Sequence, residues 1–259
     1  MQGTAKNGIY YEIEGEGPWM TLSHSLACDI HMWDPQMELL TKHFKVLRFD
    51  TRGHGKSVVP QGPYTMEQLA DDVYELLTEL GISQTHWMGL SMGGMIGQTL
   101  ALKHPEVCAS LVLADTTSRR PENALKMWGD RIVTARAEGM QGVLESTMTR
   151  WFTEPFRTAN SPAFQAIAQG VLDTPVEGFA GCCEAIARID TFDRLPELKC
   201  PVLIMVGSDD HGTPPEMARK IHAQIPQSVL HIIDQASHIS NVEQTAVFNQ
   251  HLVSFYQLS

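Results

Sequence analysis

The chain has 259 residues, 43% of them hydrophobic, and a formal net charge of −11. That is enough apolar content for one sizeable core, and α/β domains of roughly 200–250 residues commonly form a single unit. The acidic balance argues against nucleic acid or an anionic membrane as partner, and no run approaches the roughly 18 consecutive apolar residues of a membrane span.

The first thirty residues hold no basic segment followed by an apolar run, so a cytoplasmic protein is expected. Five cysteines (Cys28, Cys108, Cys182, Cys183 and Cys200) show neither a disulfide framework nor metal-ligand spacing. The eleven histidines include no H-E-x-x-H pair. Neither a metal nor any other cofactor is expected.

Short apolar runs alternate with helical patterns, which predicts an α/β fold with a mostly parallel central sheet flanked by helices. Strands are expected at 9–13, 20–23, 46–50, 86–90, 110–114, 202–206 and 229–233. Several are almost wholly apolar, as strands covered on both faces should be. The clearest helix follows residue 64. Thr65 and Gln68 form a capping box, Leu69, Val73, Leu76, Leu77 and Leu80 mark one face, and Gly81 supplies the stop. From about Arg120 to Arg188 the composition is helical, with aromatic clusters at Trp128, Trp151, Phe152 and Phe156 and no convincing strand. This predicts a helical cap, 120–188, inserted between two strands of a core formed by 1–119 and 189–259. The last helix is expected to be capped by Asn241 and Gln244, with Phe248, His251, Leu252 and Phe255 on one face.

Gly89-Leu90-Ser91-Met92-Gly93 follows a predicted strand and opens a predicted helix, which is G-x-S-x-G in the context that chemistry requires. A serine on so sharp a turn needs neighbours without side chains if Oγ is to project from the sheet edge. The helix beyond it directs backbone amides and a positive dipole end toward developing negative charge. Ser91 is therefore the expected nucleophile. Its partners should follow as acid and then histidine. His238 lies in a loop between the last strand and the last helix, whereas His222 falls in a helical pattern and His231 inside a strand. The acid should follow strand 202–206, where Asp210 is preferred to Asp209. Asp115, at the end of an earlier strand, is a further alternative. Two backbone amides are expected to form an oxyanion hole: that of Met92, next after the nucleophile, and one from the loop after strand 20–23, where His24-Ser25-Leu26 resembles the His-Gly-x that many relatives carry, which nominates Leu26. His24 reads as a structural hydrogen-bonding residue.

Charge is unevenly spread. Residues 119–157 hold seven Lys or Arg against five Asp or Glu (+2), and the rest of the chain twelve against twenty-five (−13). A solvated helical face gives this pattern, and so does a positive cap over a site for an anionic substrate.

With Arg48-Phe-Asp-Thr-Arg-Gly-His-Gly-Lys-Ser57, Gly62-Pro-Tyr-Thr-Met66, Gly89-Leu-Ser-Met-Gly-Gly94 and Ser237-His-Ile-Ser-Asn-Val-Glu-Gln244, the chain resembles the 3-oxoadipate enol-lactonases over nearly its whole length. The cap segments Arg150-Trp-Phe-Thr153 and Gly178-Phe-Ala-Gly-Cys-Cys-Glu-Ala-Ile186 are the more specific part of the likeness. Two stretches depart from it: Ser23-His-Ser-Leu-Ala27, where an Asn- or Gly-containing version is expected, and His211-Gly212 after Asp210. The resemblance implies an α/β-hydrolase fold and a Ser91–His238–Asp210 triad that opens a carboxylate-bearing enol-lactone. It also implies an arginine for that carboxylate, with Arg131, Arg136 and Arg150 unranked and Trp128 and Trp151 as further binding candidates. A carboxylesterase or other small-ring lactonase shares this frame, and so does a hydrolase-like receptor for a small ligand. An intact triad favours an enzyme, and a serine in place of aspartate argues against a haloalkane dehalogenase. The partner expected is a small, anionic ester or lactone, and the oligomeric state is left open.

Overall fold

The computed structural model describes residues 1–258. An eight-stranded sheet runs β1 (Gln2–Thr4), β2 (Tyr10–Glu14), β3 (Trp19–Ser23), β4 (Lys45–Phe49), β5 (Thr85–Leu90), β6 (Cys108–Ala114), β7 (Val202–Gly207) and β8 (Val229–Ile233). Its spatial order is β1-β2-β4-β3-β5-β6-β7-β8, with β1 and β2 antiparallel at one edge and the rest parallel. All seven expected strands are present. β1 is an addition: three mixed residues, Gln2-Gly-Thr, that pair only with β2 and carry no apolar alternation to mark them.

The central strands are buried on both faces. Leu22, Trp87, Met88, Leu111, Leu113, Leu203 and Met205 are all inaccessible to solvent, each contributing about 1.5–3 kcal/mol by burial. Helices α1 (Asp34–Leu40), α2 (Met66–Glu79) and α3 (Met92–Lys103) belong to the first half of the sheet. Thr65 Oγ1 caps α2 by accepting the Gln68 N–H at 3.1 Å, a bond whose loss typically costs about 1 kcal/mol.

Between β6 and β7 the chain forms five α-helices: α4 (Ala124–Glu138), α5 (Gln141–Trp151), α6 (Glu154–Ala159), α7 (Pro162–Asp173) and α8 (Val176–Ile186). An isolated bridge between Arg119 and Asp190 brings the two ends of this insertion together. α9 (Pro215–Gln224) then joins β7 to β8. After β8 come α10 (Ser240–Glu243) and α11 (Thr245–Tyr256). The expected cap of the last helix is corrected here. Gln244 precedes α11 without a side-chain cap bond. Asn241 is buried in α10, where its amide donates to Met32 O and Gln36 Oε1, both at 3.0 Å. That tertiary bonding takes the side chain a cap would have used. No helix among the described residues is long and apolar enough to cross a membrane.

Candidate active site

Ser91 sits on the turn from β5 to α3 with φ +55° and ψ −112°. Such backbone costs a non-glycine residue on the order of 1–3 kcal/mol and persists only where its surroundings enforce it. Here a Cβ on Gly89 would stand 2.1 Å from Gly93 O, and one on Gly93 2.1 Å from Ser23 O. The turn is held by β6: Ser91 N–H donates to Ala114 O at 2.8 Å, and Thr116 Oγ1 donates to Ser91 O at 2.7 Å.

Side chains from three separate loops meet at this turn. Ser91 Oγ lies 2.9 Å from His238 Nε2, and His238 Nδ1 lies 2.8 Å from Asp210 Oδ2. Asp210 also accepts the Thr213 hydroxyl at 2.7 Å and the N–H groups of Gly212 and Thr213 at 2.7 and 2.9 Å. Burial opposes its charge, but His238 and these donors outweigh burial and hold the carboxyl below its ordinary 3.8. An ionised Asp210 keeps the imidazole proton on Nδ1 and leaves the Nε2 lone pair facing the serine.

The alternatives lie elsewhere. Asp209 is exposed and accepts the Ser208 hydroxyl at 2.9 Å. Asp115 is fully buried, accepting Gly207 N–H at 2.8 Å and Ser240 Oγ at 2.5 Å. Burial, and then the charge of Asp210, push its carboxyl well above the ordinary value. His222 pairs with Ser228 at 2.7 Å, and His231 stacks on His251 with ring centroids 3.8 Å apart.

The loop after β3 is fixed by two neutral imidazoles. Thr51 N–H donates to His24 Nε2 at 2.9 Å, so His24 carries its proton on Nδ1, 2.7 Å from Ser25 O. Ala27 N–H donates to His54 Nε2 at 2.9 Å, and His54 Nδ1 lies 3.2 Å from Arg52 O. Burial, and then neighbouring His24, drive His54 down to about 3. Ala27 sits at φ +56°, conformationally the place of a glycine. Its amide is thereby drawn away, while those of Leu26 and Met92 meet no acceptor among the described residues. No spacing rule assigns His54 a role, although it stands in the Arg52-Gly-His-Gly stretch.

A cavity of about 290 Å³ opens over Ser91, at the small end of ligand sites. Its wall includes Leu26, Met95, Trp128, Trp151, Phe179 and His238, with Arg131 and Arg150 among them. Trp151 lies over His238 with centroids 6.3 Å apart and planes 26° from parallel. Arg131 donates to Thr147 Oγ1 at 2.6 Å and has no acidic partner among the described residues. The Arg150 guanidinium has neither an ion pair nor a hydrogen bond among the described residues. Of the lining residues only Arg120, Pro121 and His211 are exposed, and they mark the mouth. Arg136 is a correction: it lies outside this cavity, exposed and paired bidentately with Glu177 at 3.1 and 2.9 Å. Its α4 position turns it to the surface side, where Glu177 already satisfies it.

A parallel sheet with a serine on the β5–α3 turn, an acid after β7 and a histidine after β8 defines an α/β-hydrolase, and the alpha/beta hydrolase fold family matches residues 18–245. The chain is similar to 3-oxoadipate enol-lactonase 2 of Acinetobacter baylyi, 35% identical over 91% of this chain and 87% of that protein. It superposes on an enol-lactonase from Burkholderia xenovorans LB400 with TM-score 0.94 and 37% identity, covering 99% of this chain and 100% of that one. A thermophilic esterase from Thermogutta terrifontis, solved with malate bound, gives TM-score 0.92 and 31% identity over 99% and 97%. The chain belongs to the 3-oxoadipate enol-lactonase family of α/β-hydrolases.

Proposed function

We propose that the chain hydrolyses a small carboxylate-bearing enol-lactone, 3-oxoadipate enol-lactone, to 3-oxoadipate, with Ser91, His238 and Asp210 as the catalytic triad. One observation carries this reading: Arg131 and Arg150 share a cavity with Ser91 and make no ion pair among the described residues, Asp210 acting on Arg150 only through space. A largely desolvated cation without an ion pair is costly, and a substrate carboxylate supplies one through short, charge-assisted bonds.

Ser91 Oγ attacks the lactone carbonyl carbon as His238 Nε2 takes its proton, and Asp210 stabilises the imidazolium. The carbonyl electron pair moves onto oxygen, where the Leu26 and Met92 amides receive it. Collapse breaks the ring C–O bond, and His238 returns the proton to the departing enolate oxygen. Both parts of the substrate remain in one acyl chain on Ser91. The enol relaxes to the ketone, which makes ring opening effectively irreversible. Water then loses a proton to His238 and attacks the acyl-enzyme carbonyl, and the second collapse releases the acid and restores Ser91. In this reading 120–188 is the cap that brings the arginines, Trp128 and Trp151 over the serine. The free thiols suit a reducing cytoplasm.

A second reading is an esterase for small carboxylate-bearing esters, favoured by the likeness to the malate-bound esterase. A hydrolysis panel separates the two. The enol-lactone should be preferred over its neutral methyl ester, over neutral lactones and over short p-nitrophenyl esters. Faster turnover of carboxylate-bearing open esters would favour the esterase.

A further inference from the structure

The cap segment that carries Arg150 is bonded directly to the loop that carries His238. Ile239 N–H donates to Trp151 O at 3.2 Å, and Ser237 Oγ lies 3.0 Å from Arg150 O. Glu243, at the end of α10, closes the connection. Its Oε1 accepts Thr153 N–H at 3.0 Å and Thr153 Oγ1–H at 2.5 Å, while its Oε2 accepts Ser237 N–H at 2.8 Å. All three donors are neutral, so the carboxylate's charge answers hydrogen bonds and not a cation. The residue before His238 and the residue two beyond Trp151 thus share one side chain.

We propose that Glu243 is a positioning residue that couples the Arg150 segment to His238, so that a carboxylate held at Arg150 steadies the imidazole over Ser91. This rests on the function proposed above. An ionised carboxylate accepts at both oxygens, whereas an amide must turn its NH₂ toward one set of donors. Glu243→Gln therefore keeps the size of the side chain and breaks one arm of the clamp.

The test is a double-mutant cycle of Glu243→Gln with Arg150→Ala, read as kcat on the carboxylate-bearing lactone and on its neutral methyl ester. On the charged substrate Glu243→Gln should lower kcat by about tenfold when Arg150 is present and by less than about threefold when it is absent. That is the non-additivity of coupled sites. On the neutral ester the factor should be the same in both backgrounds. Thr153→Val, which removes only the hydroxyl arm, should give the same pattern at smaller size, and it serves if the glutamine variant does not fold. A purely structural Glu243 would lower Tm and reduce kcat by a factor independent of Arg150, and that result overturns the proposal. If Arg150→Ala alone leaves the preference for the charged substrate intact, the substrate reading itself fails, and this inference with it.

Discussion

Arg131 and Arg150 stand in one cavity wall and share Trp128, each guanidinium 5.8 Å from its ring centroid. Burial, and then the charge of Arg150, bring Arg131 down to about 10, and burial lowers Arg150 as well. The charge of Asp210 offsets burial at Arg150 in part, but neither guanidinium makes an ion pair among the described residues, and two like charges held this way are unfavourable for the empty protein. The expected compensation is a substrate anion.

The first prediction follows from that pair. Arg150→Ala should lower kcat/KM for a carboxylate-bearing lactone by roughly ten- to a hundredfold, the equivalent of about 1.5–3 kcal/mol for a charged hydrogen bond. Arg131→Ala should act in the same direction but less, because Arg131 already donates to Thr147. Neither change should matter for a neutral lactone, and Arg136→Ala should be silent on both. Paired steady-state assays on charged and neutral substrates check this.

A second prediction separates the acids. Asp210→Asn should cost about 10⁴ in kcat through loss of the correct imidazole tautomer. Asp209→Asn, altering an exposed group bonded to Ser208, should cost little. Asp115→Asn should act mainly on stability, since its carboxyl joins Gly207 to Ser240. Thermal melts and kcat measured on the same three samples distinguish these roles.

The third concerns pH and stability. His54 is held neutral, at about 3 against an ordinary 6.5. The unfolded chain therefore takes up a proton that the folded chain refuses, so stability is lost as pH falls from 6.5 toward 3. The slope from this residue is at most about 1.4 kcal/mol per pH unit. Buried His24 acts in the same sense, while Asp50 and Asp115, both raised, act in the opposite one. Urea unfolding of wild type and His54→Gln between pH 7 and 4 isolates the difference. The variant should be less stable at pH 7, with the gap narrowing as pH falls.

The sheet and the serine turn were legible because their signals are local. Apolar runs mark the strands, and Gly89, Ser91 and Gly93 carry their steric reason within five residues. His238 and Asp210 were legible through chain order and loop position. What the sequence hides is direction. Arg131, Arg136 and Arg150 look equivalent on paper, yet Arg136 finds Glu177 on the surface while the other two enter the cavity. Asn241 likewise has the composition of a cap, but its amide is claimed by Met32 and Gln36 from a distant helix. His54 bonds the Ala27 amide and Glu243 bonds Thr153, each far along the chain, and no spacing rule relates them.

The most direct measurement is turnover of 3-oxoadipate enol-lactone by the wild type and by Ser91→Ala under identical conditions. Ready ring opening by the wild type is expected, with a fall of several orders of magnitude in the variant that leaves a residual acceleration of roughly 10³–10⁴ over water. Near-normal turnover by Ser91→Ala, or a wild type inert toward this lactone but active on neutral esters, would contradict it.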